Sequence, residues 1–258
     1  MPSAYFLVSH GSRDPRPQES LAQLADRLSD RLYLLTNNSK NGNEPSLVGS
    51  GTLELGPTTL HQQLLEFGRS LLTLPISEIQ VIPLFLLPGV HVTEDIPAEI
   101  DILSQNLSYS PISINLRPYI GSHPGMGDLL AAKMAVHPCD RWVLLSHGSR
   151  RPRGNEPVEK IAKYLEHKCQ TSVSTAYWSV SPSLDSQILA LVREGHRQIG
   201  IVPYFLFKGG ITEAIARSVE HFATEYPGVN FYLAEPLGAS VELVELILGC
   251  AIVDNMVL

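Results

Sequence analysis

The sequence predicts an α/β protein made of two tandem three-layer domains, residues 1–137 and 138–258, each with a mainly parallel sheet and related by an internal pseudo-two-fold repeat. Three observations lead there. The segment Tyr5-Phe-Leu-Val-Ser-His-Gly-Ser-Arg13 returns as Trp142-Val-Leu-Leu-Ser-His-Gly-Ser-Arg150, with the run SHGSR unchanged. In the same order, Val81-Ile-Pro-Leu-Phe-Leu-Leu-Pro-Gly89 returns as Val202-Pro-Tyr-Phe-Leu-Phe-Lys-Gly209, and each copy leads on to a Thr-Glu pair, Thr93-Glu94 or Thr212-Glu213. Within each copy, short β-rich runs alternate with helical patterns, the signature of βαβ units.

In the first copy the expected order is a strand at 4–9, a helix at 18–35, an extended run at 51–55, a helix at 59–72 and a strand at 79–87. Strands that are apolar almost throughout suit a sheet covered on both faces, and right-handed crossovers place the loop after every strand along one edge. Ligands of such folds bind at that edge. The first copy also carries an insert at Asn37-Asn-Ser-Lys-Asn-Gly-Asn-Glu-Pro45, whose polar, turn-forming residues predict a surface loop.

Acidic residues outnumber basic ones by 26 to 19, giving a formal net charge of -7, which argues against a nucleic-acid or anionic-membrane partner held by bulk charge and favours a small-molecule role. The three cysteines, Cys139, Cys169 and Cys250, form no CxxC pair and no zinc-ligand spacing, so neither a disulfide framework nor a cluster site is expected. The opening MPSAYFLVSHGS lacks the basic segment of a signal peptide, and no apolar run reaches membrane-spanning length. A cytoplasmic protein is the expectation.

Two histidines fall at the loop-bearing edge. His10 directly follows the first strand, and His91 follows the strand ending near Leu87, after a Pro88-Gly89 turn. Neighbouring strands stand about 5 Å apart, so the two side chains can face one site. Glu54, just before Pro57, joins the same edge and completes an N/N/O set suited to a divalent iron, cobalt, nickel or zinc ion held at three points. Neutral imidazole can also accept a proton. Taken singly, each histidine reads more readily as a hydrogen-bonded loop residue than as a ligand, and Glu54 equally well as a solvated carboxylate.

The second copy supplies a contrast. It keeps His147, but the segment from Phe207 to Glu213 is one residue shorter and has no histidine opposite His91, and Ser179 stands opposite Glu54. One histidine makes no three-point site, so His147 is expected to be an inherited loop residue. Beside His10, the loop residues Ser9, Ser12 and Arg13 lead to a helix start that favours anions, with Arg13 able to grip a carboxylate. Arg16 reads as a solvated arginine beside Asp14. His61, His123, His137, His167, His196 and His221 are expected at the surface, and Trp142 and Trp178 in the core.

These residues resemble the class II chelatases of tetrapyrrole synthesis, in particular the long, two-domain sirohydrochlorin chelatases of the CbiX and SirB type. The resemblance rests on LVSHGSRDP at 7–15, on PLFLLPGVHVTEDIP at 83–97 and on the repetition of both, and it spans nearly the whole chain. It implies flavodoxin-like, chelatase-like domains and insertion of Fe2+ or Co2+, as a substrate ion, into sirohydrochlorin without ATP or an organic cofactor. The family's active-site histidines fall on His10 and His91, and its metal-contacting glutamate on Glu54. A monomer whose repeats form an intramolecular pseudo-dimer is expected. The chain has neither the histidine-rich tail of some cobalt-inserting members nor the cysteine cluster of some iron-inserting ones, which leaves the metal open.

Two other readings start from the same residues. A strand ending in His-Gly also opens the histidine phosphatases, but those place an arginine before the histidine, where Ser9 and Ser146 stand here. A non-catalytic carrier of metal or tetrapyrrole would use the same three ligands.

Overall fold

The computed structural model of the chain describes residues 3–36, 47–106 and 112–252. The insert at 37–45 lies outside the described residues. The first half contains β1 (Ser3–Ser9), α1 (Pro15–Thr36), β2 (Val48–Thr52), α2 (Leu60–Ser70), β3 (Glu78–Pro83), α3 (Ile96–Asn106), β4 (Ser113–Leu116) and α4 (Met126–Met134). The second half repeats the plan with β5 (Arg141–Ser146), α5 (Glu156–Cys169), β6 (Ser172–Tyr177), α6 (Leu184–Arg193), β7 (Gln198–Pro203), α7 (Gly210–Glu225), β8 (Asn230–Leu233) and α8 (Val241–Ile252).

Each half has a four-stranded, all-parallel sheet, ordered β2-β1-β3-β4 in one and β6-β5-β7-β8 in the other. In the first sheet the chain moves from β1 to β2 on one side, then returns past β1 to β3. With right-handed crossovers, that reversal puts α1 on one face and α2 and α3 on the other. The side chains agree: Ala4, Phe6 and Val8 of β1 and Ile79 and Val81 of β3 form one core with Leu60, Leu64, Ile96, Ile100 and Leu103. The second sheet repeats this with Val143, Leu145, Ile199 and Ile201 packed on Leu184, Ile188, Ile215 and Phe222.

Packing and sequence repeat divide the chain differently. One compact unit holds residues 1–123 together with 239–258, and the other holds 124–238. Helix α4, which ends the first repeat in sequence, belongs to the second unit: Gly127 lies so close to Tyr164 of α5 that a Cβ would stand 2.4 Å from the ring, and the Tyr164 hydroxyl donates to Asp128 at 2.6 Å. Helix α8 belongs to the first unit, where Arg31 of α1 pairs with Glu245. The boundary at 137/138 read from the repeat is therefore not the boundary of the compact units, because each closing helix covers the sheet of the other copy.

The end of α8 is held by a buried cation. Arg117, 4% exposed, donates from Nε and Nη2 to the Cys250 carbonyl at 3.0 and 2.9 Å. A helix C-terminus leaves carbonyls without intrahelical donors and carries partial negative charge, so a guanidinium there satisfies both needs.

Other side chains depart from expectation. Trp142 is core, but Trp178 is 42% exposed, because it lies one residue beyond β6 and Tyr177 fills the core position. Of the six histidines expected at the surface, His167 and His221 are exposed, while His61, His123, His137 and His196 are half-buried. His61 pairs with Glu99 at 2.9 Å and His137 stacks on Tyr232, while burial lowers the pKa of His123. The three cysteines are free thiols, and burial pushes Cys139 and Cys250 up to about 11. No helix among the described residues is long and apolar enough to cross a membrane.

Replacing Arg117 by Ala leaves the Cys250 carbonyl without this donor, and is expected to destabilise the first unit by roughly 1–3 kcal/mol. Hydrogen exchange of the β3 and β4 amides under urea measures it. Arg153→Ala, which removes an ion pair whose arginine is 83% exposed, serves as the comparison and is expected to change little.

Candidate metal centre

The reversal of strand order places the switch point of the first sheet between β1 and β3, where α/β sheets open a crevice beyond the strand ends. His10 is the first residue after β1. The strand runs end earlier than the sequence suggests: β2 stops at Thr52 and β3 at Pro83. Glu54 thus lies two residues past the end of β2, and His91 opens the helical turn that precedes α3.

The loop carrying Glu54 is fixed by three contacts. The ladder is carried past β2 by Leu53 and Glu54, whose N–H groups donate to the carbonyls of Ser9 and His10 at 2.9 Å each. Gly11 has φ +100°, and a Cβ there would stand 1.9 Å from the Glu54 carbonyl oxygen, so only glycine permits the two loops to interleave. Gln63 of α2 accepts from Thr52 N–H and donates back to Thr52 and Thr58 carbonyls, clamping both ends of the loop. Leu55 next to it adopts the left-handed region at φ 57°, a conformation costing about 1–2 kcal/mol for a residue with a Cβ.

His91 arrives by a different device. Residues His91–Asp95 form a single π-helical turn, closed by the Ile96 N–H donating to the His91 carbonyl, before α3 begins. The second copy has one residue fewer here, and α7 starts directly at Gly210. Ile96 and Ile215 occupy the same core position, at 0% and 1% exposure. A π-turn is what a helix forms when it absorbs one extra residue while keeping its later residues in register. The extra residue brings His91 to the edge without moving Ile96 out of the core.

The outcome is a compact cluster. One potential ligand atom from each of His10, Glu54 and His91 lies within 4.8 Å of the others, the only such group of three or more His, Cys, Asp or Glu residues among the described residues. His10 Nε2 is 3.9 Å from Glu54 Oε2, with the side chains 49% and 52% exposed. The two imidazoles meet edge to face with centroids 4.7 Å apart, and Phe85 lies against both at 6.4 and 5.8 Å. His10 Nδ1 donates to the Gly11 carbonyl at 3.1 Å, which places its proton on Nδ1 and leaves the Nε2 lone pair free. His91 Nδ1 is 2.7 Å from Asp95 Oδ2. Ligands bound at roughly 2.0–2.2 Å from one ion stand about 3.0–3.4 Å apart, so the set closes on an ion with small rotations of exposed side chains.

Ser9 and Ser12 are half-buried beside His10, with Ser12 Oγ accepting from Asp14 N–H. Arg13 is exposed and makes no ion pair among the described residues, whereas Arg16 is held by both Asp14 oxygens. The second copy reproduces the frame with only one of the three donors: His147 Nδ1 meets the Gly148 carbonyl at 3.1 Å, and Ser179 N–H donates to the His147 carbonyl at 2.9 Å as Glu54 does to His10. Sequence reading missed Phe85, Gln63 and Asp95. Asp95 alone left a signal, its four-residue spacing from His91 on a helical segment.

The CbiX family model matches residues 4–136 and, a second time, residues 141–249. The chain belongs to the CbiX family. Among similar proteins, a sirohydrochlorin cobaltochelatase of Priestia megaterium is 24% identical over 243 residues, covering 90% of this chain and 74% of the relative. A sirohydrochlorin ferrochelatase of the same organism is 27% identical over 169 residues, 63% of this chain and 62% of the relative, so that match spans under two thirds of either. The solved structure of SirB from Bacillus subtilis with Fe3+ superposes with a TM-score of 0.74 over 97% of this chain and 94% of that one, at 24% identity. That likeness establishes the fold: two tandem chelatase-like α/β domains.

Gly11→Ala is expected to lower the melting temperature and to weaken Co2+ binding at least tenfold, because the Glu54 loop must retreat from the new Cβ. Gly228→Ala, where a Cβ meets nothing within 4 Å, is expected to change neither. Thermal melts and Co2+ titration of the two variants provide the comparison.

Proposed function

We propose that this chain is a sirohydrochlorin chelatase, a lyase-type enzyme that inserts a divalent ion, Fe2+ or Co2+, into the tetrapyrrole. The observation that carries this reading is the convergence of His10, Glu54 and His91 on one sheet edge in a member of the CbiX family. Cobalt- and iron-inserting relatives occur in a single organism, so the family alone does not choose the ion.

The reaction exchanges two pyrrole N–H bonds for metal–nitrogen bonds and releases two protons. Those protons are held weakly acidic by the macrocycle, so a base must stand within reach of the ring centre. In this reading one imidazole accepts protons while the other, with Glu54, holds the ion against the ring. Each free Nε2 is a competent donor or acceptor for either task. The ion is delivered, not kept, and three half-exposed donors with open positions opposite them suit that demand. Phe85 offers an apolar surface beside the imidazoles. The peripheral carboxylates of the substrate require cationic or N–H partners, a role assigned to Arg13 and to the loop of Ser9 and Ser12. The energy comes from forming metal–nitrogen bonds, and no nucleotide or organic cofactor is invoked.

The test follows the absorption spectrum of sirohydrochlorin with Fe2+ or Co2+ supplied to wild type, His10→Ala, His91→Ala and His147→Ala. Losses on the order of 10²-fold or more are expected for the first two, the scale of a displaced acid–base group, with His147→Ala within a few-fold of wild type. An inactive His147→Ala beside an active His10→Ala would place the site in the wrong copy. A spectral change that stops at one equivalent of protein would make the chain a carrier.

A further inference from the structure

Beyond the three donors, the structure assigns a positioning role to Asp95: it fixes His91 in the tautomer and orientation that aim Nε2 at the ion. This rests on the reading of His91 as a metal-holding residue. Three observations carry it.

The first is geometric. The Nδ1–H of His91 donates to Asp95 Oδ2 at 2.7 Å, the short distance of a charge-assisted bond, and a carboxylate can only accept. The proton is thereby committed to Nδ1, and the Nε2 lone pair is the one left to face His10 and Glu54. A histidine with both nitrogens solvated would divide between two tautomers and several ring rotations, and only one of those combinations serves the site.

The second is that His91 has no other anchor. His10 is tied by its own loop, through the Gly11 carbonyl, and His147 repeats that arrangement in the second copy. His91 lies on the π-turn, where the adjacent carbonyls belong to the helical ladder, and Asp95 is the one hydrogen-bond partner of its imidazole among the described residues.

The third comes from the repeat. In the second copy the residue opposite His91 is Gly210, and the residue before the shared buried isoleucine, opposite Asp95, is Ala214. Donor, carboxylate and π-turn are all absent from that copy, while the neighbouring Thr-Glu pair and the isoleucine are kept. An aspartate serving only to start a helix would be as useful to α7 as to α3.

Co2+ titration of the metal-free protein, followed by the visible absorption of the bound ion, tests the role without tetrapyrrole present. Asp95→Ala is expected to weaken Co2+ binding by about 10- to 100-fold, the range for lost partners of metal-bound histidines, with an unchanged melting temperature. Asp95→Asn, whose amide oxygen can still accept from Nδ1–H, is expected to lose less. The decisive variant is the double substitution His91→Ala/Asp95→Ala. If Asp95 acts through His91, the double variant binds Co2+ no worse than His91→Ala alone, a non-additivity that a general structural role would not produce. Affinity within twofold of wild type for Asp95→Ala, or a full further loss on top of His91→Ala, would overturn the assignment. Were His91→Ala itself to bind Co2+ normally, the three-donor reading would fall instead.

Discussion

The hydrogen bond from the Glu54 N–H to the His10 carbonyl is the contact on which the rest of the site depends. It ties the residue after the central strand to the loop beyond the edge strand, and so sets the spacing of His10 and Glu54 through backbone, leaving only side-chain rotation to bring their donor atoms together. Its cost is steric. The chain must turn at Gly11 with a positive φ and pass within contact of the Glu54 carbonyl, a path closed to any residue with a Cβ. The left-handed Leu55 absorbs the return of the same loop, and Gln63 supplies its missing edge partners. Because the second copy makes the equivalent bond from Ser179 to His147, this frame belongs to the fold, and the donors are attached to it.

Much of this was legible in the chain itself, for reasons tied to particular residues. The SHGSR repeat revealed two copies, and apolar strands alternating with amphipathic helices revealed parallel sheets. His10 and His91 could be paired because strand ends share an edge. What could not be read was local backbone detail. Phe85 to Leu87 are as apolar as strand residues, yet they lie beyond β3, and the Phe85 carbonyl accepts from Gly121 instead. The π-turn was visible only as a one-residue difference in length between copies, whose consequence depends on both helices keeping an isoleucine in the core.

The exchange of closing helices was also invisible, and its reason is general. Helices α4 and α8 follow equivalent strands, both are largely apolar, and the two sheets they could cover are related by the repeat. A pattern of apolar residues specifies that a helix is buried, not which of two similar surfaces buries it. The choice appears only in specific contacts: Gly127 under Tyr164 in one unit, Arg117 on the Cys250 carbonyl in the other.

Exposure is the remaining constraint on how the donors work. A site meant to retain an ion surrounds it, since burial strengthens each ligand contact and excludes competing water. Here His10 and Glu54 are about half exposed, and their nearest atoms stand farther apart than two ligands of one ion. Drawing them together restricts exposed side chains further, which weakens binding by the entropy of that restriction. The same looseness leaves the solvent side of the ion open to a second set of ligands. For the proposed transfer to ring nitrogens, both effects act in one direction: they raise the free energy of the protein-bound ion relative to the ion in the ring. In this reading Asp95 directs His91 as the Gly11 carbonyl directs His10, so both imidazoles are aimed while the Glu54 carboxylate is left to adjust as the ion passes to the ring.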